Sequence, residues 1–279
     1  MKKLNLVKYV GGKFKLLDKL IPMFPRHKNY VEPFCGSCTV LLNKPKSQIE
    51  CVNDYNKDIW NLFNVIKHKV DEFDEALNWM FNSRYQFYLF REQDPEKLTD
   101  VERAVRFYYL LKCAYGGKML NPSFSPQKTR PEGINFETVH DTIKQVYNRM
   151  KNVHIENLDF AECIDRYNHK NTFFFLDPPY FKEGKKDGKD RCYTHNFDKR
   201  DFERLNKALK TIEGKFLMTI NNCDYTRNMY KDFNQSVLDH IYCLRTHPLH
   251  YNNCKSKDMN VTQLIVSNYD IKPRRYKLK

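Results

Sequence analysis

The tetrapeptide Asp177-Pro178-Pro179-Tyr180 gathers a carboxylate, a stiff turn and an aromatic face at one point of the chain. The run before it, Thr172-Phe173-Phe174-Phe175-Leu176, has the length and apolar content of a buried strand, and two prolines stop it abruptly. This predicts a carboxylate at the carboxyl end of a central strand, where open α/β sheets bind their ligands. The plain alternative is a proline-stopped strand followed by a solvated aspartate.

Such a group suits alkylation of an exocyclic amino nitrogen. In adenine the N6 lone pair is delocalised into the ring, so the nitrogen is a poor nucleophile. Two fixed acceptors aimed at its N–H bonds draw it towards a tetrahedral geometry. The Asp177 carboxylate can be one acceptor and the Pro178 carbonyl the other. Neither proline nitrogen carries a hydrogen that could enter a competing bond. Tyr180 offers a π-face on which an extruded base can stack. Catalysis of this kind is positional and electrostatic, with no covalent intermediate.

The elements that must position this group lie to either side of it. Tyr30-Val31-Glu32-Pro33-Phe34 reads as a strand, then Cys35-Gly36-Ser37 as a tight turn, with an apolar helix start over residues 39–42. That order lets a nucleotide-like ligand approach the backbone. A second strand over residues 49–52 leads to Asn53-Asp54, with Asp54 about twenty residues beyond the turn, where doubly wound folds place a ribose-binding acid. Asp54 could equally cap the helix that begins near Asn56. Upstream, Lys8-Tyr9-Val10-Gly11-Gly12-Lys13 reads as a glycine loop, with Tyr9 for stacking and Lys13 for a carboxylate or phosphate, or simply as a surface loop. Residues 153–155 read as a short strand running into Asn157-Leu158-Asp159-Phe160, whose last pair fits a purine site or a turn packed on the core.

In a chain of 279 residues, a hydrophobic fraction of 41% with 14% aromatics describes a folded protein with a sizeable core. The net charge of +14 points to a polyanionic partner such as nucleic acid, or to a lysine-rich protein that is merely soluble. Met1-Lys2-Lys3-Leu4-Asn5 lacks the apolar stretch of a signal peptide, and no run approaches a membrane span, so a cytoplasmic location is expected. Nine cysteines, an odd number, read as reduced thiols. Cys35 and Cys38 form a Cys-x-x-Cys pair without a second pair or spaced histidines, so no metal is expected.

Between Asp54 and Val153 the pattern turns helical. Thr99-Asp100-Val101-Glu102 fits a capping box, followed by one apolar face through Leu111. The pattern breaks at Tyr115-Gly116-Gly117-Lys118, and a polar loop or hairpin runs to Gly133. Lys118, Asn121, Ser123, Ser125, Gln127, Lys128 and Arg130 are candidate contacts to phosphates or base edges. The basic stretch over residues 181–191, with Lys185, Lys186 and Arg191, is a second candidate clamp beside the catalytic turn, and Tyr193 follows it. Solvated loops are the alternative for both.

In this order, residues 8–13 with their Gly11-Gly12-Lys13, Glu32-Pro33-Phe34-Cys35-Gly36-Ser37, Asn53-Asp54, Asp159-Phe160, Asp177-Pro178-Pro179-Tyr180, Tyr193-Thr194-His195-Asn196-Phe197, a strand over residues 216–221 with Asn222, Cys223 and Asp224, and a closing strand over residues 262–269 resemble the Dam family (D12 class) of DNA adenine-N6 methyltransferases. The resemblance spans essentially the whole chain. It implies a seven-stranded, Rossmann-like α/β sheet built from residues 1–56 and 148–279, with a mainly helical recognition domain inserted at 57–147. It also implies S-adenosyl-L-methionine as methyl donor and duplex DNA as substrate, with the target adenine flipped out. Tyr9 and Lys13 would lie near the cofactor and target pocket, and Glu32, Phe34 and Gly36 along the methionine side. Asp54 would take the ribose hydroxyls and Asp159 and Phe160 the cofactor adenine, while Asp177, Pro178 and Tyr180 would hold the target base, with Asp177 also touching the cofactor. One departure stands out: the family commonly carries a second glycine where Cys38 stands. The expected protein is a monomer acting at GATC or another short site, in some settings beside a cognate restriction endonuclease. A non-catalytic DNA-binding protein on the same scaffold and an RNA adenine methyltransferase are the competing readings.

Overall fold

The pentapeptide Thr172–Leu176 forms β4 and is buried at every position, as a strand covered on both faces must be. The computed structural model describes residues 3–114, 117, 119–125, 133–182, 197–241 and 260–271. Around β4 a sheet of seven strands is assembled: β1 (Asn29–Glu32), β2 (Ile49–Asn53), β3 (His154–Glu156), β5 (Lys215–Asn221), β6 (Asn234–Ile241) and β7 (Asn260–Ser267). Their order is β3-β2-β1-β4-β5-β7-β6. β1 to β5 run parallel, and β7 is antiparallel to both of its neighbours. The strand expected through Phe34 stops at Glu32, because Pro33 has no N–H to continue the ladder.

Alternation along the strands divides the core. Tyr30, Val52, Phe173, Phe175, Leu217 and Ile265 face one side, where they join the buried residues of α1 (Leu17–Leu20), α2 (Thr39–Asn43), α3 (Lys57–His68), α4 (Val70–Asn78), α5 (Arg84–Glu92), α6 (Asp100–Cys113) and α7 (Val139–Met150). Val31, Cys51, Phe174, Leu176, Phe216 and Met218 face the other, packed by α8 (Phe160–Arg166), α9 (Lys199–Thr211) and α10 (Asp224–Met229). The capping box at Thr99 forms, with the Thr99 hydroxyl and the Glu102 carboxylate each accepting from the other's backbone N–H.

The helices α3 to α7 share the core of the first face. An expected boundary at 147/148 falls inside α7, which runs unbroken to Met150. Two links tie this bundle to the sheet. Lys67 Nζ donates to the Val153 carbonyl at 2.6 Å. The Arg149 guanidinium donates to both oxygens of Glu50 on β2, at 2.5 and 2.8 Å, while Lys44 Nζ reaches Glu50 at 2.5 Å. Lys44 and Glu50 are buried and Arg149 nearly so. Among the described residues no helix is long and apolar enough to cross a membrane.

Candidate active site

The strand order reverses between β1 and β4, and a crevice opens there at the carboxyl ends of the parallel strands. The cavity measures about 280 Å³, and Tyr9, Lys13, Glu32, Phe34, Gly36, Asp54, Asp159, Phe160 and Asp177 all line it. Nine residues from five separate stretches of sequence therefore meet at one site.

The turn after β1 is shaped for close approach. Gly36 has φ +46°, and a Cβ there would stand 3.1 Å from the Tyr9 ring, so the position needs glycine twice over. Its N–H donates to Asp54 Oδ2 at 2.9 Å. Asp54 Oδ1 accepts the N–H of Asn56 at 2.9 Å. The cap of α3 is Asn56 itself, whose side chain accepts from Asp58 N, so Asp54 is free of that duty. The Asp54 side chain opens to the cavity but is otherwise enclosed, and this burial pushes its pKa up to about 6 against the two backbone bonds. Glu32, at the end of β1, is 2% exposed and accepts from the Tyr30 hydroxyl at 2.5 Å. Burial raises it to about 7, opposed by the Tyr30 bond and the Lys44 charge.

Cys38 occupies the left-handed region with φ 52°, the conformation for which a glycine would be the unstrained choice. Its side chain is fully buried in the core of the first sheet face and does not line the cavity. The substitution therefore leaves the pocket surface as it is, and the strain is borne by the backbone at the start of α2.

At the far end of the cavity, Asp159 caps α8 through the Ala161 N–H at 2.9 Å and binds Arg204 at 2.7 Å through the same oxygen. Phe160 stacks on Phe34 with centroids 5.4 Å apart, and Arg204 lies 4.8 Å over its ring. Asp159 and Phe160 thus do the structural work of a turn and also face the cavity.

The Asp177-Pro178-Pro179-Tyr180 turn follows β4. Asp177 Oδ2 accepts Lys13 Nζ at 2.5 Å, and Asp177 Oδ1 accepts the Thr219 hydroxyl at 2.8 Å. Lys13 is 3% exposed, donates also to the Gly11 carbonyl at 2.7 Å, and lies 5.2 Å from the Tyr180 ring. Burial pushes the Asp177 carboxyl upward, and the Lys13 charge and the two hydrogen bonds draw it back towards ionisation. Pro178 is buried and Tyr180 half-buried; Pro179, for which the sequence implies no role beyond stiffness, is the proline that lines the cavity. Asn221 clamps the exit of the turn, accepting from Phe181 N and donating to Phe181 O, each at 2.9 Å.

Several of these residues escape sequence reasoning. Thr219 lies in an apolar strand that reads as core, and Arg204 lies on a charged helix that reads as solvated. Met119, from the segment expected to meet DNA, reaches the cavity beside Asn56. Asn53 had a visible signal, preceding Asp54. Its amide donates to the carbonyls of Pro33 and Leu158 and accepts from Leu158 N, stitching together the loops after β1, β2 and β3.

Of the candidate nucleic-acid contacts, Asn121 and Ser123 are exposed, and Asn121 has φ 45°. Ser125 departs from expectation. It is buried, with its N–H donating to Cys113 at 3.0 Å beside the antiparallel bridge between Ala114 and Phe124, and so packs the base of the segment. Lys118, Gln127, Lys128, Arg130, Lys185, Lys186, Arg191 and Tyr193 lie outside the described residues. Among the described residues no group of three or more His, Cys, Asp or Glu could hold a metal ion.

A parallel sheet with one antiparallel strand near its edge, bearing acids and a glycine turn at the ends of β1, β2 and β4, defines a Rossmann-like methyltransferase. The model for D12 class N6 adenine-specific DNA methyltransferases matches residues 9–243, and the chain belongs to that family. It is 27% identical over 274 residues to the Type II methyltransferase M.CviBI of Paramecium bursaria Chlorella virus NC1A, covering 95% of this chain and 99% of that one. Against the Type II methyltransferase M.MjaIII of Methanocaldococcus jannaschii, identity is 29% over 257 residues, with 82% and 88% covered. Against the DNA adenine methylase of Haemophilus influenzae it is 30% over 189 residues, with 62% and 63% covered. The chain is an adenine-specific DNA methyltransferase, and its methyl donor is S-adenosylmethionine.

Proposed function

We propose that the enzyme methylates N6 of an adenine flipped out of duplex DNA at a short specific sequence, with Asp177 and the Pro178 carbonyl as the two acceptors of its amino group. The observation that carries this reading is the placement of the Asp177 carboxylate on the wall of the cavity shared by Gly36, Asp54 and Phe160. The acceptor role of the Pro178 carbonyl follows the family resemblance; Pro178 is buried next to Pro179, which lines the cavity. Lys13 balances the buried carboxylate until the amino group arrives, and Tyr180 supplies the stacking face.

The residues present fit the cofactor. Gly36 leaves room that a Cβ would fill, Asp54 presents a carboxylate to ribose hydroxyls, and Phe34 and Phe160 form an aromatic wall for the purine. Glu32 lies on the methionine side, with Tyr9 against the turn. When bound, S-adenosylmethionine supplies an electrophilic methyl group. This chain's own residues do the rest: they orient the amino nitrogen, hold it desolvated and polarise its N–H bonds.

Sequence recognition falls to the segment that begins after α6. Exposed Asn121 and Ser123 support this, with Lys118, Gln127, Lys128 and Arg130 as further contacts and Lys185, Lys186, Arg191 and Tyr193 as a clamp beside the catalytic turn. The exposed polar groups and the net charge of +14 suit a phosphate backbone. The enzyme is expected to work as a monomer in the cytoplasm of a prokaryotic or phage-infected cell. The Type II names of two relatives support a setting beside a cognate endonuclease.

The test is to incubate the protein with S-adenosylmethionine and unmethylated genomic DNA, and to map N6-methyladenine by single-molecule sequencing. Modification at one short motif, GATC or another, lost in Asp177→Ala, is the expected result. Folded, cofactor-binding protein that leaves DNA unmodified but methylates RNA, or modifies neither, would overturn it.

A further inference from the structure

We infer that Thr219 is a positioning residue for methyl transfer: its hydroxyl fixes which way the Asp177 carboxylate faces when the target amino group arrives. This rests on the reading above, in which Asp177 is the acceptor for that group.

Thr219 stands in the middle of β5, wholly buried, between Met218 and Ile220 in a strand whose other core positions are apolar. A buried hydroxyl there costs stability unless it is bonded. Its two neighbours within reach are Asp177 Oδ1 at 2.8 Å and the Leu176 carbonyl at 3.5 Å, the latter at the outer limit of a hydrogen bond. Asp177 is therefore its effective partner.

The two groups that hold Asp177 differ in kind. Lys13 reaches in from a glycine loop on a four-carbon stem, with three rotatable donors, and can change partners without moving the backbone. Thr219 is β-branched, stiff at χ1, and sits on a strand paired on both sides, so it cannot follow a carboxylate that swings away. Asn221, two residues on and so on the same side of β5, fixes the backbone beyond Tyr180 through both of its bonds to Phe181. Together they make β5 a jig for the turn. Asn221 sets where the turn lies, while Thr219 sets the torsion of the carboxylate within it. Lys13 remains the exchangeable partner that the amino group can displace.

Two opposite substitutions test this. Thr219→Val keeps the side-chain shape and removes the hydroxyl; Thr219→Ser keeps the hydroxyl and removes a buried methyl. The expected result is a kcat about 10- to 100-fold lower for Thr219→Val, the equivalent of one hydrogen bond to a charged group. Its Kd for cofactor and for duplex DNA should stay near wild type. Thr219→Ser should keep kcat within about threefold while losing more thermal stability, since it leaves a small cavity. A purely structural threonine reverses that ranking, with activity following Tm. Either that reversal or full activity in Thr219→Val would overturn the proposal. Should the valine variant fail to fold, Thr219→Ser against Thr219→Ala isolates the same hydroxyl. Asp177→Ala serves as the control. If it remains active, the acceptor role itself fails and the positioning role with it. If it is inactive while Thr219→Val is not, only the positioning role fails.

Discussion

Two acids sit at the ends of two parallel strands and face one cavity, yet they are held by different means. Asp54, after β2, is gripped by backbone amides, the N–H groups of Gly36 and Asn56. Asp177, after β4, is gripped by side chains, the ammonium of Lys13 and the hydroxyl of Thr219. Backbone donors come with the fold and cannot be exchanged by substitution. Side-chain donors can be released, replaced or redirected. The difference suits the role proposed above for each acid. A cofactor that binds the same way in every turnover is served by a fixed acceptor. A base that must enter and leave needs an acceptor whose partner can step aside.

The largest effect should come from breaking the side-chain-held acid. Asp177→Ala is expected to lower methyl transfer to duplex DNA by about 10³-fold while cofactor binding, read by calorimetry, changes little, because the lost acceptor acts on the transition state. The backbone-held acid should give the opposite split. Asp54→Ala is expected to raise the cofactor Kd about 10- to 100-fold, with kcat at saturating cofactor within a few-fold of wild type. Equal losses in kcat from both variants would collapse the contrast.

A pH series sharpens it further. The Asp54 carboxyl, normally near 3.8, is raised to about 6, so the folded protein keeps this proton across a window where the unfolded chain has lost it. This group's contribution to stability is therefore present below about pH 4 and is lost as pH rises through about 6. Cofactor affinity should run the other way, since only the ionised acid accepts two ribose hydroxyls. The Asp54 part of it should fall as pH drops through 6. Glu32, raised to about 7, adds a step above it. Asp54→Asn should remove the lower step and keep the upper one, measured as Kd between pH 5 and 8.

The smallest effect is expected at Cys38. Glycine there relieves about 1–2 kcal/mol of left-handed strain but gives up chain entropy and a buried thiol. Cys38→Gly should therefore shift unfolding free energy by no more than about 1 kcal/mol in denaturant titration, with an unchanged cofactor Kd. A tighter Kd would show that the side chain does press on the turn.

The Asp-Pro-Pro-Tyr turn, the glycine turn and the two acids were legible in the sequence because each depends on local grammar. Proline stops a strand, glycine permits a left-handed turn, and an acid following a buried strand lies at the sheet's edge. The seven-stranded sheet was expected from the family resemblance rather than from any one element, and its strand order comes from the structure alone. What stayed hidden depends on contacts across the sheet. Thr219 meets Asp177 only because β5 pairs with β4 in the register Leu176↔Met218. Ser125 looked like an exposed polar residue in a polar loop, yet the bridge between Ala114 and Phe124 folds it inward. The alternative role of Asp54 as a helix cap was decided by a single residue, Asn56, taking that role instead.

The ion pair between Arg149 and Glu50 bears on engineering as well as on folding. A chimera that exchanged the helices after β2 for those of a relative, joined at 147/148, would cut α7 two residues before Arg149. Arg149 itself would be retained, but on a helix whose first part came from the donor, and any change in that helix's phase or angle would carry the guanidinium off Glu50 and leave it Lys44 as its cationic partner. Breaking a buried pair in this way typically destabilises a protein by about 3–5 kcal/mol. Helix exchanges in this scaffold should therefore place their junction before Val139, so that α7 stays whole and Arg149 stays with the Glu50 that it pairs.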